Sequence, residues 1–281
     1  MADVSVPNGP SLMGLELAPR HKRGLQLSNP LMNAAGVLGF AGEYRRLVEF
    51  GALGAFVTNA LTATPRTPAH PPNVVALPDG VLIHTGLPNP GVSAALRRYG
   101  REWQRLGPPV IVHLAATTAP EVSRSLQRLE QMEAISGLEL GLRDDVTVAE
   151  AAQLVQAAVG NVPLLVQVPF GRAPELATVL AQAGGDALVV SGPARRSVDV
   201  EGREVTGRWY APSSFGEVLL AVKQVVETLG DVPVVGAGGI WGVEQACAML
   251  AAGAAAVQVD IAIWRDPGLL ARMANELPSV L

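Results

Sequence analysis

Two aspartates, a histidine and a cluster of glycines are the residues whose types and positions suit chemistry. Asp144 follows the apolar run 137–142. A carboxylate there can act as a base if burial raises its proton affinity. The alternative is that Asp144 and Asp145 favour the positive end of the helix that Thr147 begins. His113 ends the apolar run that starts at Val110. It suits a proton carrier, or else a hydrogen-bonded wall. Gly236, Gly238 and Gly239 follow the β-branched run 232–235. Glycines there let backbone approach a ligand and leave N–H groups free to cradle an anion, or they serve only a tight turn. Asp260 follows the short apolar run 256–259.

Other chemistries are excluded. His21, His70, His84 and His113 show no metal-ligand spacing. The single cysteine, Cys247, rules out an internal disulfide or a cysteine metal cluster, and in an Ala-rich helix it packs as a small apolar group. A formal charge of −4 argues against nucleic acid. Apolar runs are broken before the ~18 residues of a membrane span, and residues 1–10 lack the basic start and apolar core of a signal peptide. The expectation is a cytoplasmic protein that is not bound to membrane. Charged residues make up 16%, so much of the surface is expected to be covered, by the fold or by a homo-oligomeric or related partner subunit.

Positioning these residues requires elements. Residues 15–17 and 25–27 form a short hairpin ahead of the main fold, and residues 1–13 are a loose start. Strands are expected at 30–35, 55–58, 110–115, 137–142, 164–168, 187–190, 232–235 and 256–259. Helices are expected between them, including 43–50 after the first and 243–252 before the last. Thr147 with Glu150, and Ser214 with Glu217, read as capping boxes. Residues 59–89 form a long Pro-rich loop, of the kind that is usually functional. Residues 195–209 alternate around Glu201-Gly202 as an excursion hairpin. Its Arg195, Arg196, Arg203 and Arg208 form a solvated face, a partner contact or an anion clamp; Trp209 and Tyr210 hold it down or stack on a ring. Eight strands alternating with helices predict a single (β/α)8 barrel over residues 1–281, with a doubly wound open sheet as the alternative. In such a barrel the site lies at the C-terminal ends of the strands.

In this order, the motifs NAAGVLGFAGEY (33–44), T-x-x-PR (62–66), GLPNPG (86–91), GLEL (137–140), VPVVGAGGI (232–240) and the late AGAAAVQV run resemble the dihydroorotate dehydrogenases. These are FMN enzymes of pyrimidine biosynthesis built on this barrel. The likeness runs from about Leu15 to the final helix. It implies an FMN-dependent oxidoreductase acting on a CH–CH bond. Ala35, Gly36, Asn59, Gln167, Ser191, Gly238 and Gly239 would line the cofactor, and Gly86, Leu87 and His113 the substrate. Asp144 would stand where the family keeps its base.

Several positions depart from the family pattern. Asn59 and Gln167 stand for lysines, Ile83 for a substrate-holding asparagine, and residues 141–146 (GLRDDV) for N-[IL]-S-C-P-N. Ser191-Gly192 replaces an Asn-Ser or Asn-Thr pair, and Asp260-Ile261 replaces the Gly-Thr that closes on the FMN phosphate. The kept residues maintain shape; the lost ones hydrogen-bond substrate, carry charge or move a proton. Unit charges ~4 Å apart interact by roughly 4 kcal/mol at an effective dielectric near 20, so an ionised Asp260 would repel a phosphate by about that much unless Arg265 or Arg272 neutralised it or the Asp260 side chain turned away. Two readings follow: a flavin oxidoreductase with an altered substrate, or a non-catalytic paralogue serving as partner or regulatory subunit.

Overall fold

A computed structural model describes residues 14–277; the expectation of a loose start lies outside them. Strands β1 (Leu15–Glu16) and β2 (Gln26–Leu27) form the expected hairpin, with Leu15 opposite Leu27. Leu17, Leu25 and Leu27 pack against inward-facing residues such as Ala55, Ala187 and Ala256 at the starts of barrel strands. The hairpin therefore plugs the end of the barrel opposite the strands' C-termini.

The barrel strands are β3 (Leu31–Asn33), β4 (Phe56–Val57), β7 (Val110–Ala115), β8 (Ile135–Gly141), β9 (Leu164–Pro169), β10 (Ala187–Ser191), β13 (Val234–Ala237) and β14 (Ala256–Val259). All pair in parallel, in the order β3-β14-β13-β10-β9-β8-β7-β4, and a Met32–Ala55 bridge brings the two outer strands together. That closure excludes the open sheet. Alternation sets the two faces. Val110, Val112 and Leu114 of β7 face the helix layer, while Ile111 and His113 face inward.

The helices of the outer layer are α1 (Val92–Trp103), α2 (Ala119–Leu129), α3 (Val148–Ala158), α4 (Ala173–Gln182), α5 (Phe215–Leu229) and α6 (Val243–Ala251), followed by α7 (Ala262–Arg265) and α8 (Leu269–Glu276). Thr147 forms the predicted capping box with Glu150. Ser214 does not: its hydroxyl donates to the Ala211 carbonyl at 2.7 Å. A 3-10 turn over Pro212–Ser214 already gives Ser214 helical angles, which removes the extended geometry that a capping side chain needs.

Two further expectations are corrected. Residues 43–50 form turns rather than a helix, followed by a 3-10 turn at Phe50–Ala52. The Glu43 carboxylate folds back onto the Phe40 and Ala41 amides, and the Arg45 and Leu47 amides bond three residues back, so the segment is too short and too tightly wound to build an α ladder. The long 59–89 segment is not all loop. Around Pro78–Gly80 it forms a hairpin of β5 (Val74–Leu77) and β6 (Gly80–Ile83). This hairpin joins the predicted excursion, β11 (Arg195–Val200) and β12 (Arg203–Tyr210), in a four-stranded antiparallel sheet. Leu82, Val205, Trp209 and Ala211 form its small core.

Candidate functional site

Inside the barrel, near the C-terminal ends of the strands, the lining turns polar. Glu139 of β8 is fully buried. One of its oxygens meets His113 Nδ1 at 2.7 Å and Gln167 Nε2 at 3.5 Å. The other accepts from Gln258 Nε2 at 2.5 Å. A buried carboxylate is tolerated only with such partners. His113 also fills space: a Cβ on Gly141 would lie 2.7 Å from His113 Nε2. The imidazole therefore occupies the place that a side chain at 141 would need. His113 and Gln167 are among the site residues the sequence predicts, whereas Glu139 and Gln258 lie unmarked inside strand motifs. The available signal was a lone charged residue inside an otherwise apolar strand.

Asp144 lies just beyond β8 and is engaged. Its Oδ1 accepts from Arg208 Nη1 at 2.8 Å, and the same nitrogen donates to the Pro193 carbonyl at 3.2 Å. Arg172 Nη1 donates to the Asp144 and Val146 carbonyls. The excursion hairpin is thus tied to the loop after β8 through Arg208. Asp145 is exposed and pairs with Arg143, which holds its carboxyl below the usual range by hydrogen bonding and charge.

A second cluster gathers where β10, β13 and β14 end. Gly238 and Gly239 adopt φ of 118° and 68°, which favours glycine. A Cβ on Gly238 would lie 2.9 Å from Gly192 Cα, and one on Gly239 would lie 2.6 Å from the Phe215 amide nitrogen. Asp260 is 5% exposed, and its Oδ1 has no hydrogen-bond partner. Burial pushes its carboxyl up to about 6, against the opposing pull of the Ala262, Gly239 and Ile261 backbone N–H groups. Tyr210, at the end of β12, is pushed up by burial first and then by the Asp260 charge. Arg272 turns to Asp266.

The remaining predicted residues are dispersed or engaged. Asn59 Oδ1 accepts from the Gly39 amide at 3.1 Å, and the Asn59 backbone N–H donates to the Gly39 carbonyl. Ser191 Oγ donates to the Gly192 carbonyl at 2.5 Å. Ala35 packs beside the barrel-interior cluster, and a Cβ on Gly36 would meet open space. Gly86 packs on Ala69, and the Leu87 amide donates to Thr85 Oγ1. Leu87 is 43% exposed, so the structure presents it to solvent. Among the described residues no group of three or more His, Cys, Asp or Glu could hold a metal, and no helix is long and apolar enough to cross a membrane.

Residues 20–142 match the family model described as Dihydroorotate dehydrogenase, and residues 146–263 match the one described as Nitronate monooxygenase. The chain is 32% identical to the dihydroorotate dehydrogenase B (NAD(+)) catalytic subunit of Desulforudis audaxviator, over 92% of this chain and 90% of that protein. It is 30% identical to the subunit of the same name from Maridesulfovibrio salexigens, over 92% and 91%. A crystal structure of DHODH from Eimeria tenella, in complex with ferulenol, superposes with a TM-score of 0.78 at 17% identity, covering 95% of this chain and 84% of that one.

Proposed function

The chain belongs to the dihydroorotate dehydrogenase family, and from that premise we propose that it no longer oxidises dihydroorotate and serves instead as a non-catalytic partner or regulatory subunit. The observation that carries this reading is the Asp144–Arg208 contact at 2.8 Å. By resemblance Asp144 stands in the place of the family base, and its Oδ1 already accepts a guanidinium N–H. Around it the pattern repeats. Gly141 has no side chain to offer, and His113 fills that space. Asn59 Oδ1 and Ser191 Oγ are engaged by neighbouring backbone. Flat anions with amide edges need donors and acceptors left free for them.

The test is dihydroorotate turnover with added FMN and an artificial electron acceptor, paired with sedimentation analysis. The expected result is no turnover, with the chain in an oligomer or in a complex with a related catalytic subunit. A monodisperse monomer with robust turnover would overturn the reading.

A second reading, an oxidoreductase of altered substrate, has one observation in its favour. His113 Nδ1 is held by a buried carboxylate, which orients the ring and leaves Nε2 for proton transfer. Mass analysis of small molecules released from the purified protein distinguishes the two: a flavin together with an unfamiliar substrate favours the second.

A further inference from the structure

We infer that the Asp260 carboxylate closes the anion cradle at the barrel mouth from within, so that FMN is not anchored there by its phosphate. Members of this family are FMN flavoproteins, and the turns after β13 and β14 are where the resemblance would seat the phosphate. The residues present do not fit that group, for three reasons.

The first is the donor set. The backbone N–H groups of Ala262, Gly239 and Ile261 act on the Asp260 carboxyl, whose proton affinity they lower. The second is space. Glycines at a phosphate site leave room for the ligand, but here the clearings are taken by protein. The Phe215 backbone sits where a Gly239 side chain would go, and the Gly192 backbone does the same at Gly238. The third is charge. Asp260 is buried with one oxygen unpartnered, and the groups that lower its proton affinity are backbone amides rather than a cation. Arg272 is spent on Asp266. A phosphate would add negative charge beside a carboxylate that the protein has not neutralised.

This deepens the reading above, since it removes the anchor of the redox group, but it is tested by binding alone. Equilibrium dialysis would compare FMN with riboflavin, which lacks the phosphate, on the flavin-free wild-type chain and on Asp260→Gly and Asp260→Asn variants. Inorganic phosphate serves as competitor. Wild type is expected to bind FMN no more tightly than riboflavin. In Asp260→Gly, FMN affinity rises at least about tenfold while riboflavin affinity stays put, and phosphate competes with the gain. Asp260→Asn keeps the shape, removes the charge and gives a gain in the same direction, so the test survives if the glycine variant folds poorly. Wild type preferring FMN over riboflavin would overturn the inference, as would an unchanged FMN-to-riboflavin ratio in the variants that fold. Dihydroorotate turnover by wild type would defeat the proposed loss of activity, whereas the ratio alone decides this inference.

Discussion

Two carboxylates are buried among the described residues, Glu139 in the barrel interior and Asp260 at its rim, and the protein treats them differently. Glu139 has partners on both oxygens, drawn from β7, β9 and β14. The open end of that network is Gln258 Oε1, a neutral atom. Asp260 sits against backbone amides with Oδ1 unpartnered, and burial wins over those amides. One charge is built into the wall and ties three strands together. The other is held at the strands' C-terminal end at a cost in stability. A buried polar atom left unpartnered calls for an explanation, and a functional site is one place where such groups gather.

Removing each acid should separate the two cases. Glu139→Leu leaves His113, Gln258 and Gln167 without their common acceptor, and should cost about 3–5 kcal/mol in urea unfolding. A loss below 1 kcal/mol, roughly the surface-pair range, would erase the contrast.

Asp260→Asn should go the other way. The folded carboxyl is raised from 3.8 to about 6, so the folded state holds its proton more tightly than the unfolded chain does. The associated stability is present at pH below about 4 and is lost as pH rises to about 6. Asparagine mimics the protonated form, so the variant should be more stable than wild type by about 3 kcal/mol at pH 8, with no advantage at pH 3.5. A variant less stable than wild type at pH 8 would mean that the amides compensate the charge after all.

His113→Ala should cost about 1–3 kcal/mol, because Glu139 loses one donor but keeps Gln258 and Gln167. The smallest effect should come from Asp144 and Arg208, whose side chains are each 35% exposed. A double-mutant cycle on that pair should give a coupling of about 0.2–1 kcal/mol. A larger coupling would make the roof of the barrel as firmly built as its interior.

What the sequence disclosed was local. The strands 110–115 and 256–259, the excursion hairpin and the Thr147 capping box are written in adjacent residues, and they appear as expected. What stayed hidden depends on distant partners. The β5–β6 hairpin looks like loop until β12 pairs with β6, and that pairing is long-range. Glu139 reads as part of an apolar strand until barrel closure turns it inward, onto His113 and Gln258. Asp144 reads as a base or as a carboxylate at a helix start until the hairpin brings Arg208 to it. Asp260 was legible as a misfit in charge, but its burial and unpartnered oxygen come only from the fold.

The contrast rests on the state of the Asp260 carboxyl, and that can be observed directly. Carbon-detected NMR of isotope-labelled aspartate, with Asp260 assigned by its absence in the Asp260→Asn variant, would follow the group through a pH titration with and without FMN. The expected result is a midpoint of about 6 that FMN leaves in place. A midpoint at or below 3.8, or one that FMN displaces, would contradict the account.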